Sequence, residues 1–215
     1  MTGRMLIDQP WGISAYGHGS VTTDPDHAVL RLAVNRMHNQ PDRALKATKD
    51  AVAAVRKVLR QRGVPDTAVT SSQTSIHSIW DGYGADRTFR GHQCRAEFSI
   101  RINELDAVEQ VVVELVAAGA DEILGVDYDT SRTQELRVEA RTQAVAAATA
   151  KAALYAEAAG VALGPVVHIE DVDPNSAPVP MYRMAASAAD AGSTDFAPGQ
   201  LTVAASVALG FSITH

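Results

Sequence analysis

The chain has 215 residues, 46% of them hydrophobic and 20% charged, which suffices to bury a full core in one elaborated domain. Its net charge of -6 argues against nucleic acid as a partner, because affinity for a phosphate backbone depends on clustered Lys and Arg displacing counterions. A single cysteine, Cys94, excludes an internal disulfide, and no segment is long and apolar enough to span a bilayer.

Residues 1–10 read as a tail without the apolar stretch of a secretory signal, so the expected location is cytoplasmic. A first strand is predicted from about Gly12 to Val21, with Gly17-His18-Gly19 inside it. That tripeptide lacks a third glycine and a strand-to-helix context, so it is no dinucleotide fingerprint; a glycine bulge in an edge strand is the expectation. Thr23-Asp24-Pro25-Asp26 makes a turn into a second strand, His27 to Asn35, whose Ala28, Leu30, Leu32 and Val34 share one face. His18 and His27 thus lie on consecutive strands. A helix follows from Pro41 to Arg62, with Leu45, Thr48, Val52, Val55 and Leu59 at helical spacing, Pro41 in the first turn and Gly63 at the exit.

Strands over about Ala68 to Trp80 and Phe89 to Ile102 flank the glycine-rich Asp81-Gly-Tyr-Gly-Ala-Asp86 and read as a long hairpin. Cys94, Ala96, Phe98, Ile100 and Ile102 alternate along its second arm, which makes Cys94 a packed thiol. A second helix starts from an Asn103 cap, turns Leu105, Val108, Val112, Leu115 and Val116 inward and ends at Gly119. A strand from Glu122 to Tyr128 completes the order β-α-β-β-α-β. The fold class is therefore α+β, a ferredoxin-like core with an antiparallel sheet and both helices on one face, extended by a long Ala-rich helix and further strands.

The Ala-rich helix runs from about Ser131 to Ala159, opens on a Ser131-Arg-Thr-Gln134 capping box and stops at Gly160. Alanines crowd nearly every face, so the helix packs on more than one side, either within its own chain or across a subunit interface. Ala144, Ala148, Ala152 and Tyr155 are the candidate interface residues on it. After a strand from Val166 to Val172, the stretch 173–199 holds four prolines and Met181-Tyr182-Arg-Met184. So long a connection reads as a mobile arm or lid, and Met181, Tyr182 and Met184 join the interface candidates. A last strand alternates Leu201, Val203, Ala205, Val207, Leu209, Phe211 and Ile213.

Several of these segments together resemble the SIMPL-domain family. They are Ile13-Ser-Ala-Tyr-Gly-His-Gly-Ser-Val21 with Asp24-Pro25-Asp26-His-Ala28, Leu136-Arg-Val-Glu-Ala-Arg141 opening the alanine-rich helix, Gly160-Val-Ala-Leu-Gly-Pro165, the Pro- and Met-containing arm and Gly199-Gln-Leu-Thr-Val203. The resemblance covers about Trp11 to Ile213. The family includes bacterial periplasmic immunogenic proteins and proteins linked to oxidative-stress protection. It implies a single α+β domain over 1–215 that assembles into ring-like or channel-like homo-oligomers, with no catalytic residues to carry over. Family members are typically exported, whereas the reading of the N-terminus here keeps the chain cytoplasmic.

The residues offer little chemistry of their own. If the hairpin turn centres near Gly84-Ala85, His77 and His92 fall opposite one another, with Trp80 and Tyr83 nearby, as a candidate ligand site. Two histidines do not make a metal site, and neither a metal nor a cofactor is expected. Ser71, Ser72, Ser75 and Ser78 suit an exposed strand face, and no nucleophile motif accompanies them. Asp127 and Asp129, an acidic pair at strand spacing, fit a strand end. The leading expectation is a non-enzymatic, self-assembling protein with a stress-related or scaffolding role. A small-molecule-binding protein or enzyme with a pocket under the 173–199 arm is a second, and an adaptor that binds a protein partner is a third.

Overall fold

Alternating apolar residues with one wet face commit a segment to a strand, and Ala28, Leu30, Leu32 and Val34 do so with no exposed surface left. The computed structural model describes residues 12–82, 84, 87–172 and 199–214. In chain order the elements are β1 (Ile13–Thr23), β2 (His27–His38), α1 (Pro41–Gln61), β3 (Val69–Asp81), β4 (Thr88–Ile102), α2 (Val108–Ala117), β5 (Glu122–Asp129), α3 (Thr133–Ala159), β6 (Ala162–Asp171) and β7 (Leu201–Thr214). Among the described residues they group into two compact units, one continuous over 25–129 and the other built from 12–24, 130–172 and 199–214.

In the continuous unit the strands lie in the order β3-β4-β2-β5, every neighbour antiparallel. With β-α-β-β-α-β connectivity this is the ferredoxin-like arrangement read from the sequence. One core holds the inward residues of β2 and β4 together with Val55 and Leu59 of α1 and Val108, Val111, Val112 and Leu115 of α2, so both helices cover the same sheet face. Cys94 is fully buried there as a free thiol. Thr48 is tolerated in the same interior because its hydroxyl donates to Ala44 O at 2.9 Å and to Cys94 O at 3.3 Å. α2 departs from expectation at both ends. A 3₁₀ turn over Leu105–Ala107 precedes it, Asn103 uses its Oδ1 to accept from Arg101 Nε instead of capping, and Val116 is half exposed.

In the second unit β7 is the middle of a three-stranded antiparallel sheet, β1-β7-β6. α3 lies on one face, where Ala144, Ala148 and Ala152 pack with Ala15, Val207, Leu209 and Phe211. β1 pairs with β7 without a shift from Ile13↔Phe211 to Thr23↔Leu201, so Gly17 and Gly19 form no bulge. They are glycines because α3 crosses directly over them: a Cβ on Gly17 would stand 1.9 Å from Ala144 O, and one on Gly19 2.2 Å from Ala140 O. The capping box at Ser131 is likewise not the helix start. α3 begins at Thr133, where Thr130 organises the turn by accepting from Arg132 N at 3.3 Å and from Thr133 Oγ1 at 2.8 Å. β6 begins at Ala162, four residues ahead of the expected Val166, with Gly164 and Pro165 inside it; an edge strand tolerates a proline that a central one would not.

Candidate functional site

The turn end of the β3–β4 hairpin brings exposed Trp80 and Phe89 together with half-buried His92. β4 puts His92 opposite Ser78 of β3 on one side and opposite His38 of β2 on the other. Directly opposed residues share a face, so these three stand in a row. His77 pairs instead with Gln93, one step away, and projects from the opposite face. The two histidines expected to meet are therefore separated by the sheet, and His38 takes the place of His77 beside His92.

Register shifts explain the rest of the cluster. Between Ile79 and Trp80 the pairing slips so that Trp80 faces Phe89, and the two rings meet edge to face with centroids 5.1 Å apart. Phe89 meets the His92 ring at the same centroid distance, and the Arg87 guanidinium lies 5.3 Å from the Trp80 centroid. Tyr83 lies outside the described residues. The strand expected from His27 stopped at Asn35, whereas β2 runs on to His38, so this histidine was not among the candidates, and choosing it over His77 requires the register.

This row is poorly suited to holding a metal. His38 Nδ1 accepts the Gln40 backbone N–H at 3.1 Å, so in the neutral ring the proton sits on Nε2 and no lone pair faces outward. Among the described residues no three His, Cys, Asp or Glu side chains converge as ligands. Ser78 Oγ and His92 Nδ1 are 3.3 Å apart, yet no carboxylate among the described partners of His92 orients the ring as a base would need. A close His–carboxylate contact, His27 Nδ1 to Asp26 Oδ1 at 2.6 Å, sits at the start of β2 with the imidazole buried. His18 contacts Ser206 Oγ at 3.1 Å and belongs to the other sheet, so no ladder relates it to His27. Asp127 forms an ion pair with Arg31 at 2.9 Å rather than a free acidic pair with Asp129.

Two concavities lie elsewhere. A cleft of about 360 Å³ between the end of α1 and the end of β4 has Arg62, Arg101, Asn103 and Glu104 on its walls. Both of its arginines are engaged: Arg62 Nε donates to Glu114, outside the cleft, at 2.7 Å, holding that carboxyl below its ordinary pKa, and Arg101 donates to Asn103. A shallow hollow of about 330 Å³ on α3 is lined by Val138, Arg141, Thr142 and Val145. Neither contains His77, His92 or Trp80. The arm over 173–198, with Met181, Tyr182 and Met184, lies outside the described residues, as does any pocket beneath it.

α3 has a second surface. Ala144, Ala148 and Ala152 have no exposed area, because they form the contact with their own sheet; they are not available to a second subunit. The stripe on the opposite side, Val138, Thr142, Ala146, Ala150, Leu154 and Ala158, is exposed along its whole length and carries no charge. Val138 and Leu154 are each 61% exposed, and Tyr155 on its flank is 48% exposed.

The sequence from residue 13 to 211 matches the model of the SIMPL family, described as a protein of unknown function (DUF541). The chain belongs to the SIMPL family. The 26 kDa periplasmic immunogenic proteins of Brucella melitensis biotype 1 and of Brucella abortus (strain S19) are each 30% identical to it, covering 98% of this chain and 88% of theirs. The uncharacterized protein YggE of Edwardsiella ictaluri is 25% identical over 84% of this SIMPL chain and 76% of its own. Two relatives matched over nearly the whole chain are named as periplasmic, which overturns the cytoplasmic expectation. No helix among the described residues is long and apolar enough to cross a membrane.

Proposed function

We propose that this SIMPL protein is a non-enzymatic, self-assembling protein of the periplasm with a scaffolding role, and that the outward stripe of α3 contributes contacts between subunits. The single observation behind the reading is the uncharged run from Val138 to Ala158 at i, i+4 spacing on a solvent-facing helix. An exposed helix face ordinarily carries charge, and contiguous apolar surface left in water marks an interaction site. α3 has 27 residues and is about 40 Å long, so two such stripes crossing in a symmetric pair bring small side chains together at close range.

The periplasmic part of the reading is supported by the names of the Brucella relatives. The assembly part is tested by light scattering coupled to size-exclusion chromatography on the full chain and on Leu154→Glu. A discrete multimer that falls to a smaller species in the variant, with circular dichroism unchanged, is the expected result. A monomer at tens of micromolar sinks the reading.

A further inference from the structure

A helix about 10 Å across covers about two strands spaced about 4.8 Å apart, so a single helix leaves part of a three-stranded sheet open. The ferredoxin-like unit has both α1 and α2 on its sheet, whereas β1-β7-β6 has α3 alone. α3 lies over β1 and β7: its backbone at Ala144 and Ala148 meets Gly17, and Ala144, Ala148 and Ala152 pack with Val207, Leu209 and Phe211. β6 continues that apolar row sideways. Val166 pairs with Phe211 and Ile169 with Leu209, and directly opposed residues share a face. Phe211 and Leu209 are buried, yet Val166 is 42% and Ile169 67% exposed. Ile169 is the most exposed large apolar side chain among the described residues.

The flank of α3 beside this shelf is apolar too. Arg141 Nη2 donates to Asp171 Oδ2 at 3.0 Å, which identifies that flank as the one turned towards β6. Val145, one turn on, is 41% exposed, and the hollow of about 330 Å³ lined by Val138, Arg141, Thr142 and Val145 lies on the same side.

We infer that the uncovered face of β6 seats α3 of a second copy of this chain, reciprocally about a two-fold axis between the two helices, so that the paired α3 helices form one layer between two three-stranded sheets. The occupant follows from the surface it has to complete. The shelf is the open remainder of the row on which α3 already packs, and a second helix beside the first closes it. β6 has 10 residues and is about 33 Å long, so the helix must match that length without placing charge on Val166 and Ile169. α1 exposes Lys46, Lys49, Asp50 and Lys57, and α2, with 10 residues, spans only about 15 Å. α3 is about 40 Å long and keeps an uncharged stripe in solvent on the side away from its own sheet. In the pair, α3 meets its counterpart along the flank of Val138, Thr142 and Val145, and Ala146, Ala150 and Leu154 lie on the other copy's β6. A contact about 30 Å by 10 Å, made on both the shelf and the stripe of each copy, totals on the order of 1,200 Å², which reaches the range of stable interfaces. The inference rests on the self-assembly reading and names what the outward stripe of α3 meets.

The test has two readouts on the full chain. Light scattering coupled to size-exclusion chromatography compares the native sequence with Ile169→Glu and Leu154→Glu, with circular dichroism as the check on folding; where Ile169→Glu loses its fold, Ile169→Ser takes its place. Disulfide trapping mixes Ile169→Cys protein with a separately tagged Ala150→Cys protein, and Cys94, fully buried, does not compete. The expected result is a multimer whose mass falls in both charge variants, and a disulfide joining one copy of each cysteine protein. Its yield exceeds by at least about tenfold that from Ile169→Cys mixed with Ala147→Cys, on the opposite flank of α3, because a disulfide forms only at close Cα separations.

Failure of either readout overturns the inference, and so does trapping confined to pairs of Ile169→Cys copies, which would give β6 a different occupant. The two readings separate by their variants. A multimer that Leu154→Glu dissociates and Ile169→Glu does not leaves the α3 contact standing and refutes the β6 seat alone. A native monomer at tens of micromolar refutes both.

Discussion

Gly17 shows how a single hydrogen in place of a methyl group can decide an interface. Its missing Cβ lets β1 and α3 meet at backbone distance, and the added carbon of Gly17→Ala would meet Ala144 O and Ala148 N, neither of which can rotate away. Overpacking of this kind costs about 1–3 kcal/mol, and urea denaturation of Gly17→Ala is expected to show it as a lower midpoint with an unchanged slope. The sequence held the two glycines in plain view, but their meaning was nonlocal. A Gly-x-Gly in a strand pattern is equally consistent with a bulge, and only the helix laid across it distinguishes the two. Glu114 makes the corresponding point for charge. Hydrogen bonds from Arg62 keep its folded pKa below that of the unfolded chain, so its contribution is present above the unfolded value and is lost as the pH falls through the folded one. Arg62→Met is therefore expected to flatten the loss of melting temperature between pH 7 and pH 3 relative to the native sequence. Parallel acid curves for the two proteins would show that the pair contributes nothing.

At the scale of the element, α3 was legible in length and ending but not in orientation. Leu136 and the Gly160 stop mark it clearly, yet with alanine on nearly every face the periodicity could not say which stripe meets the sheet. The glycines of β1 select the stripe that includes Ala144 and Ala148, and the interface candidates shift accordingly to the opposite side. A pair of substitutions tests this assignment. Ala148→Leu forces a larger side chain into a fully buried contact and is expected to cost about 1–3 kcal/mol. Ala146→Leu on the exposed side is expected to change stability by less than about 0.5 kcal/mol when measured on dilute protein. Equal effects would mean that α3 is rotated from the position described. The hairpin failed for a different reason. β3 and β4 were placed within a residue of their ends, but the slips near Gln73 and Trp80 shift the ladder by single residues, and each such step turns a side chain to the other face. His77 and His92 were separated by a slip of that kind, which composition and alternation do not reveal.

At the scale of the whole molecule, the connectivity makes the ferredoxin-like unit an insertion between β1 and α3. Its strands and helices were readable because β2 and β4 alternate strictly over one buried face, whereas the other unit draws its strands from both ends of the chain and could not be assembled from local pattern. The insertion is closed on itself: the Asp26 N–H donates to Asp129 O at 3.0 Å, so the segment begins and ends side by side. Among the described residues, every buried member of its core lies between Ala28 and Ala120. A segment with its own core, adjacent ends and short connections has what an independent domain needs. Residues 25–129 expressed alone are therefore expected to fold, with dispersed amide resonances and a single cooperative urea transition. The complementary piece, lacking the insertion, has its strands separated in sequence and must close its sheet across a new linker. A disordered 25–129 fragment would mean instead that this core depends on the rest of the chain for its stability.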